Sequence, residues 1–466
     1  MRLAMVFMLR MTSPSFLNQP CNTANTVFAD LTPGLVPPKT KLGHQGKRGS
    51  MPRLRYVQDS GMCETRKGMK TYSGYIQNDR NQSMFFWLFE ARNKPDTAPL
   101  VLWLSGGPGS SSMLGLFQEN GPCRIKRDSS GLEDNVYSWS ESANMLYLDQ
   151  PIGVGFSYGT TEVTTSLEAA EAVYKVLQLF YADSIFSKFV GHDFGLWTGR
   201  YGPVMVEFFL KMNEGAPQTG NIIIPVKTLG IGNGLHSALV QYPEYMTYAK
   251  RNPYRQLIPD SDIENLTMSY NSPQGCRSLI LDCQNTHKAA QCSAAHHSCN
   301  RDILTRASGK ASYYDVRNDS PDPYPPTLEP LLTKKSFQDA IGAETNWTQN
   351  RLSIYEAFTT SGDWMSDSSP HLERVIDAGI RTFIGIERMM DNLNTKFSAE
   401  YRQKTFSQWV VAGEAAGLYK SAGSLSYLRV FGAGHKVPAY GHGKLARGQA
   451  ASMFFHQIIS GKPISG

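Results

Sequence analysis

The chain has 466 residues, of which 41% are hydrophobic, 11% aromatic and 18% charged. That supply of apolar side chains excludes a disordered or collagen-like polymer and is enough for one large domain or two to three ordinary ones. The net charge of +6 is mild for this length and gives no reason to expect a nucleic-acid partner.

In chain order, the first residues, Met1-Arg2 followed by Leu3–Leu9, have the charged start and short apolar run of a secretion signal. Arg10 cuts that run short, so the signal is a weak one. No apolar run approaches the length of a membrane span. Residues 11 to about 60 are rich in Pro, Gly, Ser and basic residues. Between Lys39 and Lys70 nine Lys or Arg face only Asp59 and Glu64. No amphipathic pattern accompanies this charge, so residues 1–62 are expected to form a poorly ordered signal or pro-like arm.

From Tyr72 onward, short β-prone runs alternate with helical spacing. Met84–Phe89, Leu100–Leu104, Met145–Leu148, Phe194–Trp197, Val226–Ile231, Ile380–Ile384 and Tyr427–Phe431 read as strands. Ser166–Tyr181 carries apolar residues at helical spacing. This alternation predicts an α/β fold with a mostly parallel sheet, whose chemistry lies beyond the carboxyl ends of the strands. Residues 235–343 interrupt the alternation and are expected to form a helical, disulfide-stapled cap insertion within a domain spanning residues 63–466.

That cap holds four of the seven cysteines, in the spacing C-x6-C-x8-C-x6-C. Its mirror symmetry suits nested bridges, Cys276–Cys299 around Cys283–Cys292. A zinc site helped by His296 and His297 is the alternative, but zinc ligands usually sit in tighter pairs. Neither a metal nor a cofactor is expected. Asn81, Asn265, Asn318 and Asn346 head N-x-S/T tripeptides and are candidate glycosylation sites.

Three motifs carry chemistry. Gly106-Gly107-Pro108-Gly109 directly follows a buried strand, where glycines let backbone N–H groups converge on an anion. Asp149-Gln150-Pro151 closes a second strand. Gly432-Ala433-Gly434-His435-Lys436-Val437-Pro438 sets a histidine in a Gly-rich loop, where it can act as a general base. Taken in order, Leu102–Gly109, Asp149–Pro151 and Ala433–Pro438 resemble the serine carboxypeptidases, closest to fungal secreted members. The resemblance runs from about Cys63 to the C-terminus.

The resemblance implies an α/β-hydrolase fold, removal of C-terminal residues from peptides and proteins, and a secreted or vacuolar location. It makes His435 the base of a Ser-Asp-His triad and Gly107 a donor to the oxyanion. It assigns Ser105, Gly106 and Glu119 to the substrate's terminal carboxylate, with Ser105 replacing the family's asparagine. A carboxyl–carboxylate hydrogen bond at Glu119 would favour acidic pH, because one partner must be protonated. The family also has a cysteine like Cys63, but its partner is not found near Asn346–Arg351, so Cys63 is expected to be unpaired.

Two family segments are missing. The nucleophile belongs in a Glu-Ser-Tyr-Gly-Gly elbow, yet Asp193–Thr198 passes directly to Gly199-Arg200-Tyr201-Gly202-Pro203, about four residues short. The triad acid belongs in a Gly-Asp-x-Asp loop, yet Ile380–Ile384 passes directly to Gly385-Ile386-Glu387. Glu387 and Asp391 could stand in for it, although both fit an ordinary solvated helix face better. With both segments gone, the chain is expected to be catalytically dead. Two alternatives remain: an active carboxypeptidase whose sequence has lost coding pieces at both junctions, and a secreted peptide-binding protein. Transcript sequence across Thr198–Gly199 and Ile384–Gly385 separates the first of these from the rest.

Overall fold

The computed structural model describes residues 53–78, 81–160, 162–321 and 324–464. Its strands are β1 (Arg53–Gln58), β2 (Thr71–Gln77), β3 (Ser83–Phe89), β4 (Leu100–Trp103), β5 (Cys123–Ile125), β6 (Leu132–Asp134) and β7 (Asn144–Leu148). Then follow β8 (Phe194–Thr198), β9 (Val226–Ile231), β10 (Arg381–Ile384), β11 (Ser407–Val411), β12 (Glu414–Ala422) and β13 (Leu425–Val430). β5 and β6 form a separate ribbon; the other eleven make one sheet in the order β1-β2-β3-β7-β4-β8-β9-β10-β13-β12-β11. The six strands from β7 to β13 in that order run parallel, and antiparallel strands close both edges.

Side chains alternate across a strand, so each central strand feeds two cores. In β3, Met84, Phe86 and Leu88 enter the core on one face while Phe85, Trp87 and Phe89 enter the other. The first face is covered by α1 (Ser166–Ala182) and α2 (Tyr201–Glu214). A capping box starts α1: Thr165 Oγ1 accepts from Glu168 N, and Glu168 Oε2 accepts from Thr165 N, both at 3.2 Å. On the second face Trp139 is the hub, stacked on Phe455 of the helix Gln449–Ile459 at 4.0 Å and edge-on to Trp197 at 4.8 Å.

The helices Ala238–Lys250, Asp260–Asn271, Cys276–Thr286 and Ala289–Cys299 share a third core of their own. Cys276–Cys299 and Cys283–Cys292 are bridged, with Cα separations of 4.9 and 4.5 Å. Residues 235–343 do not form one unit, however. Leu328, Leu332, Phe337 and Ile341 belong to the second core of the sheet, where Phe337 meets Phe117 at 6.1 Å. Apolar residues spaced for a helix say that a face is buried, but not against which layer.

Two further expectations need correction. The N-terminal segment to residue 62 is not wholly an unstructured arm, because Arg53–Gln58 is an edge strand paired with β2. Leu54 and Tyr56 pack on the first core, and Arg55 pairs with Glu344 at 2.9 Å. The signal-like residues, Cys21 and the basic residues before Arg53 lie outside the described residues. Cys63 is not free: it is bridged to Cys123, 60 residues on.

Asn81, Asn265, Asn318 and Asn346 are all exposed. Among the described residues no helix is long and apolar enough to cross a membrane, and no cluster of His, Cys, Asp and Glu could hold a metal ion.

Candidate active site

Because β4, β7, β8, β9, β10 and β13 are parallel, the loops that follow them share one edge of the sheet. The loops after β4 and β7 are built around Asp149. Its Oδ1 accepts from Ser111 Oγ and Ser112 N, both at 2.7 Å, and its Oδ2 accepts from Phe156 N at 2.9 Å. Burial pushes its pKa up to about 6 against the pull of these donors. A Cβ on Gly155 would fall 1.9 Å from Asp149 Oδ2, so only glycine lets the 151–157 loop close over the carboxylate. In the sequence Asp149 stands out only as part of a motif; its position directly after a buried strand was the available signal for this role.

The Gly-rich turn sits on this frame. Ser105 N donates to Ser112 Oγ at 3.0 Å, and Ser110 N donates to Gly106 O at 3.0 Å. Gly107 and Gly109 hold φ of 115° and 101°, values that a residue with Cβ rarely adopts. The wide helical turn Gly115–Asn120 follows and carries Glu119 inward. Glu119 is 8% exposed, and burial pushes its pKa up to about 7 against the attraction of Lys436. Lys436 Nζ bonds Gln118 Oε1, which draws the histidine loop against this turn.

His435 follows β13. Its backbone N–H donates to Tyr314 O at 2.7 Å, and its carbonyl accepts from Asn233 Nδ2 at 2.7 Å. The ring meets Tyr314 edge-on at 5.2 Å. Desolvation by the surrounding protein and the Lys436 ammonium lower its pKa, even though the residue keeps an exposed face. Sequence reasoning missed Asn233 and Tyr314. Gly232-Asn233-Gly234 after β9 was the signal for the first, with Asn233 at φ 57°; Tyr314 had none.

None of the described hydrogen bonds or ion pairs uses the imidazole ring. At the end of β8, Thr198 passes into α2 through only Gly199 and Arg200, with Gly202 N closing a single turn on Gly199 O at 3.2 Å, and no serine occupies the junction. Arg200 fills it instead, with Nε to Asp363 Oδ2 at 3.1 Å, Nη1 to Leu235 O and Nη2 to Ser366 Oγ at 2.8 Å. The other nearby serines are committed elsewhere: Ser110 to Asn350, Ser111 to Asp149, Ser112 to Leu148 O and Ser157 to Asp149 O.

The passage after β10 is short as well. Gly385 N donates to Ile231 O at 3.0 Å, so β10 stays on its ladder until the helix Glu387–Asn392 begins. Glu387 is bonded to Tyr427 and Arg429, and Asp391 lies 3.6 Å from Lys420. Neither stand-in has a described contact with His435.

A mixed sheet with a parallel centre, helices on both faces and a glycine-rich turn and histidine loop on its carboxyl edge is an α/β-hydrolase. The family model for serine carboxypeptidases matches residues 62–460. Carboxypeptidase S1 of Penicillium janthinellum is 35% identical over 432 residues, 88% of this chain and 100% of that one. Carboxypeptidase Y of Schizosaccharomyces pombe is 32% identical over 401 residues, 79% of this chain and 40% of the relative. The solved prohormone-processing carboxypeptidase Kex1 of Saccharomyces cerevisiae superposes with a TM-score of 0.68 at 20% identity, covering 84% of this chain and 90% of that one. This chain therefore belongs to the serine carboxypeptidase family.

Proposed function

We propose that this chain keeps the family's site for peptide C-termini but does not hydrolyse peptides. The observation that carries the reading is the β8–α2 junction, where Arg200 stands and no serine lies between Thr198 and Tyr201. Acyl transfer needs a nucleophile within reach of its base and an acid to fix the base's tautomer. His435 has neither. In subtilisin, which uses the same kind of triad, loss of the nucleophile alone costs on the order of 10⁶-fold in turnover.

The binding half of the site supports the other part of the reading. A Glu119 carboxyl with a pKa near 7 is protonated in mildly acidic solution and can donate a hydrogen bond to a peptide carboxylate. Ser105, Gly106 and Gly107 offer polar groups on the neighbouring turn. The same reading takes the protein through the secretory pathway, with Asn81, Asn265, Asn318 and Asn346 open to glycans.

A serine-directed phosphonate tests the first half: no labelling and no burst of acyl-enzyme are expected. A chain with the elbow and acidic loop restored should label. Labelling of the unaltered chain, abolished by His435→Ala, would reveal a substitute nucleophile and overturn the reading. For the second half, a peptide with a free C-terminus should bind at least about tenfold more tightly at pH 5 than its C-terminal amide, as loss of a charge-assisted hydrogen bond predicts. Equal affinity removes the carboxylate site.

A further inference from the structure

Behind the Gly115–Asn120 turn lies a pair of guanidinium groups without a matching buried carboxylate. Arg124, on β5, is 5% exposed. Its Nη1 donates to Arg447 O at 2.8 Å, but its Nε and Nη2 are buried without a hydrogen-bond partner. Arg447 Nη2 donates to Gln118 O at 3.0 Å, and its Nε is likewise buried and unpartnered. Three charged N–H groups therefore face protein without an acceptor, which is costly for any buried donor.

The surroundings add positive field and little to cancel it. Gly448 caps the helix Gln449–Ile459, and a Cβ there would fall 2.2 Å from Arg124 Nη2. The positive end of that helix thus abuts the guanidinium. Glu133 is the carboxylate within range, 4.0 Å from Arg447 Nη1, but its side chain is 50% exposed and so screened by water. The Tyr324 ring lies 5.6 Å from the Arg447 guanidinium and contributes its quadrupole. Burial and the charge of Arg447 lower the Arg124 pKa to about 10, so it stays charged at physiological pH.

We infer that a small monovalent anion, of the size of chloride, binds among Arg124, Arg447 and the first turn of the helix Gln449–Ile459. A bridging water would satisfy donors yet leave two like charges facing each other; an anion answers both. Gly448 sets backbone rather than a side chain against Nη2, and the burial of these donors favours a small anion over a bulky one. These nitrogens are closed off from bulk water, so loading requires the loop carrying Arg447 to shift. By fixing Arg447, the ion would also hold Gln118 O and steady the turn that carries Glu119. The inference goes beyond the peptide-binding reading and does not depend on it.

The test uses the full chain in potassium chloride and in potassium gluconate at equal ionic strength. Tm is expected to rise by about 2 °C for each tenfold increase in chloride above its Kd, and not with bulky gluconate. Arg447→Met should lose most of that rise while remaining folded by circular dichroism. Crystals of the unaltered chain grown in sodium bromide should show an anomalous peak between the two guanidinium groups, whether or not the variant folds. Equal melting in the two salts, an undiminished rise in Arg447→Met, or no bromide at this position would overturn the proposal.

Discussion

The two halves of the active-site rim are finished to different standards. The half formed by the loops after β4 and β7 is dense, with Asp149 gathering Ser111, Ser112 and Phe156 and with Glu119 buried behind it. The half formed by the loops after β8 and β10 consists of short strand-to-helix passages. Yet the same sheet carries both. β8 and β10 keep their ladders to β9 up to Thr198 and Ile384. The passages after β8 and β10 can be short without loss of the sheet, whereas the Asp149 frame is part of the core.

The sharpest way to break that contrast is Asp149→Ala. It strands one hydroxyl and two backbone N–H groups in a buried space, at about 1–3 kcal/mol each, so a loss of about 3–9 kcal/mol is expected in urea unfolding. A loss below about 1 kcal/mol would show the frame to contribute little to the fold. Next in size is Arg200→Met. Removing one partner of the Arg200–Asp363 pair, with side chains only 11% and 10% exposed, should cost about 3 kcal/mol and loosen the root of the cap at Leu235. Unchanged stability with unchanged proteolysis near Leu235 would mean that the shortened junction needs no brace.

Glu119 sharpens the comparison through pH. Its folded pKa, near 7, lies above its unfolded value of about 4.5, so the folded state binds the proton more tightly. Its contribution is fully present below about pH 4.5 and is lost as pH rises through about 7, by about 3 kcal/mol. Glu119→Gln should flatten that part of the stability profile. A profile that keeps its slope would place the titration elsewhere. Smallest of all should be Glu387→Gln: it loosens an exposed bridge to Arg429, worth about 0–1 kcal/mol, and leaves phosphonate reactivity absent. Any change in reactivity would bring Glu387 back as a stand-in for the acid.

Much of this was legible in the residues themselves. The apolar run Met84–Phe89 reads as a strand, and the apolar spacing over Ser166–Tyr181 marks a helix. Gly106–Gly109 after an apolar strand marks a tight turn, and the residue order Thr198-Gly199-Arg200-Tyr201 is a fact of covalent structure. Such features depend on neighbours in sequence or on residue identity, so the chain alone determined them.

What only the tertiary structure decided depends on distant segments meeting. Cys63 found Cys123 because β5 lies beside the segment that follows β1, a pairing no spacing rule reveals. Residues 328–341 left the cap for the sheet's second core, because a buried helix face does not name its partner layer. Arg53–Gln58 paired with β2 and became an edge strand, and Arg55 met Glu344 across 289 residues. The committed partners of Glu387 and the packing of the His435 ring on Tyr314 belong to the same class. Side-chain charge is written in the sequence, but which opposite charge neutralises it is fixed only when the sheet brings remote loops together on one edge.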